Sequence, residues 1–348
     1  MRSLEKAIKF IKRLPTIVVT AFIFLLFVFI LETIGGTYRF FTATNWLNIL
    51  MQVSCFGIMA VGMNTLMINA QIDLSTGMTA SFVSIFIAIS VSKWNFTPFW
   101  AVVCGILLAV VLNFLVSLIV SQFKLGSFII TLGASMVYRG LGLLLCESRE
   151  VRMDGQLSIF KTNLLKGAKD SQGLIMNFPI YVAVFLVASI IMWWILRYTK
   201  YGKRVYAVGA NPSSAYLSGI NVKKVTITSF LTHGLLVGIG SVMLLARVNV
   251  ATISLGEGAE MDSIAAAVIG GTLISGGKGN MLETLIGIIL MGAITNGMNV
   301  LKLRSELQYV VKGVIIIFAI AATEISARKA MTVSRRQLRG AADSSEKI

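Results

Sequence analysis

The sequence predicts an all-α polytopic membrane protein with about ten transmembrane helices. Three observations carry this. Of 348 residues, 56% are hydrophobic and only 13% charged, about half the charge share of a soluble domain. Apolar runs at 16–34, 102–120, 180–196 and 310–322 reach or approach the ~20 residues that cross a bilayer as a helix. Lys and Arg gather in alternate connections, which is how orientation in a membrane is encoded.

In chain order the helices fall near 16–34, 46–69, 72–92, 98–121, 126–146, 179–197, 225–246, 261–275, 281–300 and 307–326. Residues 1–15 are basic and show no small-residue cleavage site before the first apolar run. That run is too long for a signal-peptide core, so a retained first helix is expected. With the N-terminus in the cytoplasm, the inner segments are 1–15, 70–71, 122–125, 197–224, 276–280 and 327–348. They hold 19 of the 31 Lys and Arg residues; the outer segments hold 10, half of them in 147–178, and Arg139 and Lys312 fall inside helices. The bias orients the chain N-in and C-in. Residues 16–326 then form one transmembrane domain, and 327–348 a disordered basic tail on the cytoplasmic side.

The net charge of +16 is spread over short alternate connections, which suits a membrane protein and not a nucleic-acid groove. Cys55, Cys104 and Cys146 all lie in or beside apolar segments, an odd set that argues for helix packing and against a disulfide framework.

Two regions interrupt the hydropathy. Between Asn64 and Gly77, polar residues and Asp73 sit between apolar stretches with almost no room for a loop. Between Gly256 and Asn280, a short apolar run ends in crowded glycines. Interrupted segments in corresponding parts of two halves point to a transport path, and irregular backbone at membrane depth needs protein or water around it. The segments 71–78 (QIDLSTGM) and 259–266 (AEMDSIAA) form a weak internal repeat, each with an aspartate in front of small residues. Asp73 and Asp262 are read as helix caps favoured by the helix dipole or as residues of the solute path.

Polar groups within helices supply further path candidates: Asn64, Asn69, Ser75, Asn113, Thr131, Arg139, Asn296 and Lys312. An ionisable residue inside a span is a functional hypothesis by default. Arg139 and Lys312 lie near enough to helix ends to snorkel, and the Ser and Thr hydroxyls can bond back to their own helix. An uncharged polar solute favours neutral hydrogen-bonding groups such as Asn64, Ser75, Thr131 and Asn296. Trp193 and Trp194 read as interfacial anchors.

Residues 197–224 form the longest inner connection between helices, with basic ends and a mild centre. Asn211-Pro212 reads as a helix start and Gly219 as its stop. The short amphipathic helix between them is shaped to dock on another protein.

Four stretches resemble the permease subunits of bacterial carbohydrate-uptake ABC transporters. Ile72–Gly77 (IDLSTG) is similar to the family's IDLSVG motif, and Ser127–Gly133 with Tyr138–Leu141 to its PFIxTLG…RGL segment. Tyr201–Gly209, continuing through Asn211-Pro212 to Leu217–Ile220, resembles its cytoplasmic signature. Asp262–Gly271 with Ser275–Gly279 resembles the last motif. The matches run in order over about 45–320. Ser213 and Tyr216 stand where the family has charged residues, and Ser127 where it has proline, so the docking helix is less charged than usual.

The resemblance implies a permease importing a monosaccharide or similar neutral solute across the bacterial inner membrane. It implies a second permease, identical or paralogous, a cytoplasmic ATPase carrying ATP and Mg, and an extracytoplasmic solute-binding protein. The polar residues themselves make Asn64, Asp73, Ser75, Thr131, Arg139, Asp262 and Asn296 the path candidates, and the resemblance implies ATPase coupling around the short helix after Asn211, at Gly209, Asn211, Pro212, Leu217 and Gly219. No cofactor is expected in the chain itself. No GxxxxGK[ST] loop is present to cradle ATP phosphates. His233 is the only histidine, a packed or pore-adjacent residue rather than a catalyst. The competing reading is a self-sufficient ion-coupled transporter, for which Asp73 and Asp262 are the only candidate carboxylate pair. A membrane-embedded enzyme has no nucleophile constellation to support it.

Overall fold

Helices account for most of the computed structural model, which describes Phe40 and residues 42–123, 125–164 and 178–321. The expected first helix at 16–34, the segment 1–15 and the tail at 327–348 lie outside the described residues. Among the described residues, six helices are long and apolar enough to cross a membrane: α1 (Ala43–Ile68), α3 (Pro98–Phe123), α4 (Ser127–Cys146), α5 (Ile180–Tyr198), α8 (Val222–Val248) and α10 (Met281–Val300). Between them lie the shorter α2 (Thr76–Ser92), α6 (Lys200–Ala210), α7 (Pro212–Leu217) and α9 (Ala259–Ile269). A last helical segment begins at 305.

Two burial patterns separate centre from rim. α1 is buried on nearly every side from Val53 to Ile68 and packs against α5, α8, α9 and α10, as expected of a helix apolar all round. α8 shares that central position. α4 instead buries one stripe, Ser127, Thr131, Ser135, Tyr138, Gly142 and Cys146, spaced three or four residues apart, the period of one helix face. Its other face exposes Leu132, Met136 and Leu144, side chains suited to lipid.

Three boundaries depart from expectation. The helix expected over 72–92 begins at Thr76, because Ala70 turns through φ +56° and Asp73 ties down the backbone ahead of it. The span expected over 261–275 is a helix only over Ala259–Ile269. Gly271, Gly276 and Gly277 all have positive φ, which ends a right-handed helix. Residues 197–224 hold two helices, since α6 precedes the expected short one, with Thr199 Oγ1 accepting from the Gly202 N–H at 3.2 Å. The all-α expectation also misses a small ribbon, Val151–Arg152 antiparallel to Val250–Ala251. The three cysteines are free.

Candidate translocation and coupling site

Asp73 lies in the irregular stretch between α1 and α2, fully buried. Its Oδ1 accepts from the Ser75 N–H at 2.7 Å and the Ser75 hydroxyl at 2.6 Å. This is an Asx-type turn just ahead of the helix, which leaves Ser75 as a cap without a side-chain bond. Its Oδ2 stands 3.3 Å from His233 Nε2 on α8. The Thr76 hydroxyl donates to the Asp73 carbonyl at 2.9 Å and lies 3.0 Å from the same Nε2. Gly62 of α1 makes room for the ring, since a Cβ there would stand 2.6 Å from His233 Nδ1.

Thr131 of α4 closes the other side of this stretch. Its hydroxyl accepts from the Leu74 N–H at 3.0 Å and donates to the Ser127 carbonyl at 2.8 Å. Ser127 Oγ accepts from the Ile72 N–H at 2.9 Å. The backbone groups freed by the break in the helix are thus satisfied by α4 side chains, as irregular backbone at membrane depth requires. The departure from proline at Ser127 has a use here, because proline has no hydroxyl to offer Ile72.

The two interrupted regions pack on each other. A Cβ on Gly77 would collide with the Gly256 carbonyl and the Glu260 carboxylate, and one on Gly256 with the Gly77 carbonyl. The Gly256 N–H donates to Ser81 Oγ at 2.9 Å. Lower down, Asn64 Oδ1 of α1 accepts from the Thr272 hydroxyl at 2.7 Å, inside the loop after α9. Asn64, Asp73, Ser75 and Thr131 are all buried, bonded into the joints between elements.

The connection at 197–224 reaches the same joints. Gly209 at the end of α6 sits against the Ile68 carbonyl, where any Cβ would collide, and the Gly277 N–H bonds that same carbonyl at 2.9 Å. The Tyr206 hydroxyl donates to the Gly279 carbonyl at 2.8 Å. Asn211 caps α7 as the sequence predicts, its Oδ1 accepting from the Ser214 N–H at 3.0 Å, with Pro212 in the first turn. Gly219 follows at φ +80°. Tyr216 and Leu217 are exposed beside a groove of about 1200 Å³ that Gln71, Val120 and Thr226 also line.

Asp262 is placed differently. It stands within the first turn of α9, one face of its carboxylate held by Lys312 Nζ at 3.2 and 2.9 Å. Lys312 therefore turns to a carboxylate instead of snorkelling. The pair lines a cavity of about 100 Å³ together with Gln52, Phe56, Met291 and Thr295. Asn296 lies apart, half-buried, accepting from Asn45 Nδ2 at 3.0 Å. Arg139 is exposed on the outer side of α4. Sequence reasoning missed the His233 partnership, the Gly77–Gly256 contact, Tyr206 and Gln52. A lone histidine and a lone aspartate in separate spans were the one available signal, since such charges pair. The glycine contact left none.

Known proteins similar to this chain are permeases. The ribose import permease protein of Bacillus subtilis is 33% identical over 281 residues, covering 81% of this chain and 85% of the relative. A probable ABC transporter permease protein of Escherichia coli is 32% identical and covers 93% of each chain. The xylose transport system permease protein of Haemophilus influenzae is 30% identical over 81% of this chain and 89% of its own length. No solved structure matches. The family model for the permease component of branched-chain amino acid transport systems matches residues 45–320, which takes in both interrupted regions and the connection between them. The chain belongs to that family: it is the membrane-spanning permease component of an ABC importer and not an enzyme, with ATP hydrolysis on a separate subunit.

Proposed function

We propose that this chain carries a neutral monosaccharide into the cytoplasm, driven by an ATPase that docks on α7. The observation that carries the reading is the junction at Gly209. There α6 touches the end of α1 and the glycine loop after α9 in one place, so a push on α6–α7 is delivered to both interrupted regions. Relatives whose names specify ribose and xylose support the class of solute. In this reading the chain has ten spans with both ends in the cytoplasm, and forms one transmembrane domain over 16–326. It sits in the bacterial inner membrane and pairs with a second permease, identical or paralogous. Asn64, Asp73, Ser75, Thr131, Arg139, Asp262 and Asn296 border or brace the path; Gly209, Asn211, Pro212, Leu217 and Gly219 form the coupling surface. ATP and Mg belong to the ATPase.

The relatives weigh against the ion-coupled alternative, since they are named as permeases of ABC and sugar-import systems. The decisive experiment reconstitutes the chain with its ATPase and solute-binding protein and measures ATP-dependent uptake of ribose and xylose. Leu217→Arg, at a side chain 85% exposed, should leave insertion intact and cut uptake at least about tenfold, as removal of a central interface anchor does. Undiminished uptake in that variant, or uptake without any ATPase, sinks the proposal.

A further inference from the structure

Opposite charges inside membrane-spanning helices are expensive to keep and mark functional positions. Asp262 and Lys312 keep theirs at the wall of a cavity open on one side, with side chains 30% and 21% exposed. The pair has no net charge, yet its hydrogen-bonding capacity is not used up. An ammonium has three donors and a carboxylate about four acceptor sites, of which the two contacts at 3.2 and 2.9 Å take a part. Thr295 sends its hydroxyl proton to the Met291 carbonyl at 3.0 Å and keeps an acceptor oxygen, and Gln52 adds an amide. Phe56 and Met291 line the same cavity. Its lining therefore combines neutralised donors and acceptors with aromatic and aliphatic surface. A cyclic polyol has the matching two aspects, a hydroxyl edge and a C–H face.

We propose that this cavity is a weak binding site for a neutral cyclic sugar passing through the permease. Asp262, Lys312, Gln52 and Thr295 meet its hydroxyls, and Phe56 and Met291 its ring face. A zwitterionic amino acid is disfavoured, because holding its charges means parting a pair already satisfied. At about 100 Å³ the cavity takes one face of a ring rather than the whole, as suits a site that must release its solute. The proposal rests on the sugar-import reading, but its test does not.

The test uses the purified full chain in detergent, carrying Thr295→Cys with Cys104→Ala; Cys55 and Cys146 are buried. The rate of labelling by a methanethiosulfonate reagent is followed with and without D-ribose or D-xylose at about 50 mM, a concentration that fills millimolar sites. Labelling should slow at least about threefold by mass action. Phe56→Ala should abolish the protection, and leucine at the same concentration should leave the rate unchanged. A rate indifferent to both sugars, or protection by leucine equal to that by ribose, overturns the proposal. Gln52→Cys serves as a second reporter with the same outcomes, so misfolding of one variant does not void the test. Failure of ATP-driven uptake would count against the import reading and leave this result standing.

Discussion

Each of the two interrupted regions sets an aspartate opposite one basic side chain, and they house the pair in opposite ways. Around Asp73 everything is closed: the aspartate and His233 are both buried, Ser75 donates to the Asp73 carboxylate, and Thr76, Thr131 and Ser127 bind the surrounding backbone. Around Asp262 the carboxylate and Lys312 look into a cavity. The first is a rigid joint, where α1, α2, α4 and α8 are fastened together. The second can exchange protein contacts for a solute's hydroxyls at little cost. The Gly77–Gly256 contact sets these regions back to back, and Gly209 touches the ends of both at the level of the coupling helices.

The largest expected effect tests that division directly. Asp73→Ala leaves the Ser75 N–H and hydroxyl without their acceptor in a site closed to water, and each buried donor left unsatisfied costs about 1–3 kcal/mol. Lys312→Met acts at a cavity rim, where solvent and rotamer freedom soften the loss to about 1 kcal/mol. The unfolding temperatures of the two variants, measured on the purified chain in one detergent, should fall in that order. Equal losses would break the contrast between joint and cavity.

Glycine at the contact between the regions comes next. Gly256→Ala and Gly77→Ala each push a methyl into a carbonyl of the facing segment, an overpacking worth about 1–3 kcal/mol. Because each intrudes on the same gap, the double variant should cost less than the sum of the singles by a measurable coupling energy. Additive losses would mean the two segments are not in contact.

What could be read from the sequence divides along similar lines. Long helices were legible because lipid demands an apolar run of fixed length, and α3, α5 and α10 lie within two residues of expectation. The cap at Asn211 and the stop at Gly219 were legible because those signals are local. α6 was not, since its Lys200, Lys203 and Arg204 read as orienting charge, while Val205 and Val208 bury a narrow stripe. Nor were the partners of Asp73 and Asp262. Both aspartates follow the same motif-like pattern, yet one precedes its helix and the other lies inside its first turn. Which base each one meets depends on how α8 and the segment from 305 pack, and no local pattern encodes that. The charges in spans could be named, but not their pairing.

The smallest expected effect comes from an exposed ion pair, which isolates burial from geometry. Lys93 Nζ lies 2.9 Å from Glu147 Oε1, the same separation as Lys312 from Asp262 Oδ2. Its side chains are 54% and 64% exposed. The pair joins the end of α2 to the end of α4, outside the spans. The Lys93 hydrogen bond, then its charge, hold the Glu147 carboxyl below the ordinary carboxylate range. A lowered value in the folded state gives stability that is present above the unfolded carboxylate value and fades as pH falls through the folded one. In open solvent, ions and water screen that contribution. Lys93→Gln should therefore leave the unfolding temperature unchanged within error, at neutral pH and across the acid range where Glu147 titrates. Lys312→Met, with the same bond length removed, should shift it. If the exposed pair mattered as much as the one at the cavity, distance alone would govern these charges, and the ranking of the two interrupted regions by burial would lose its basis.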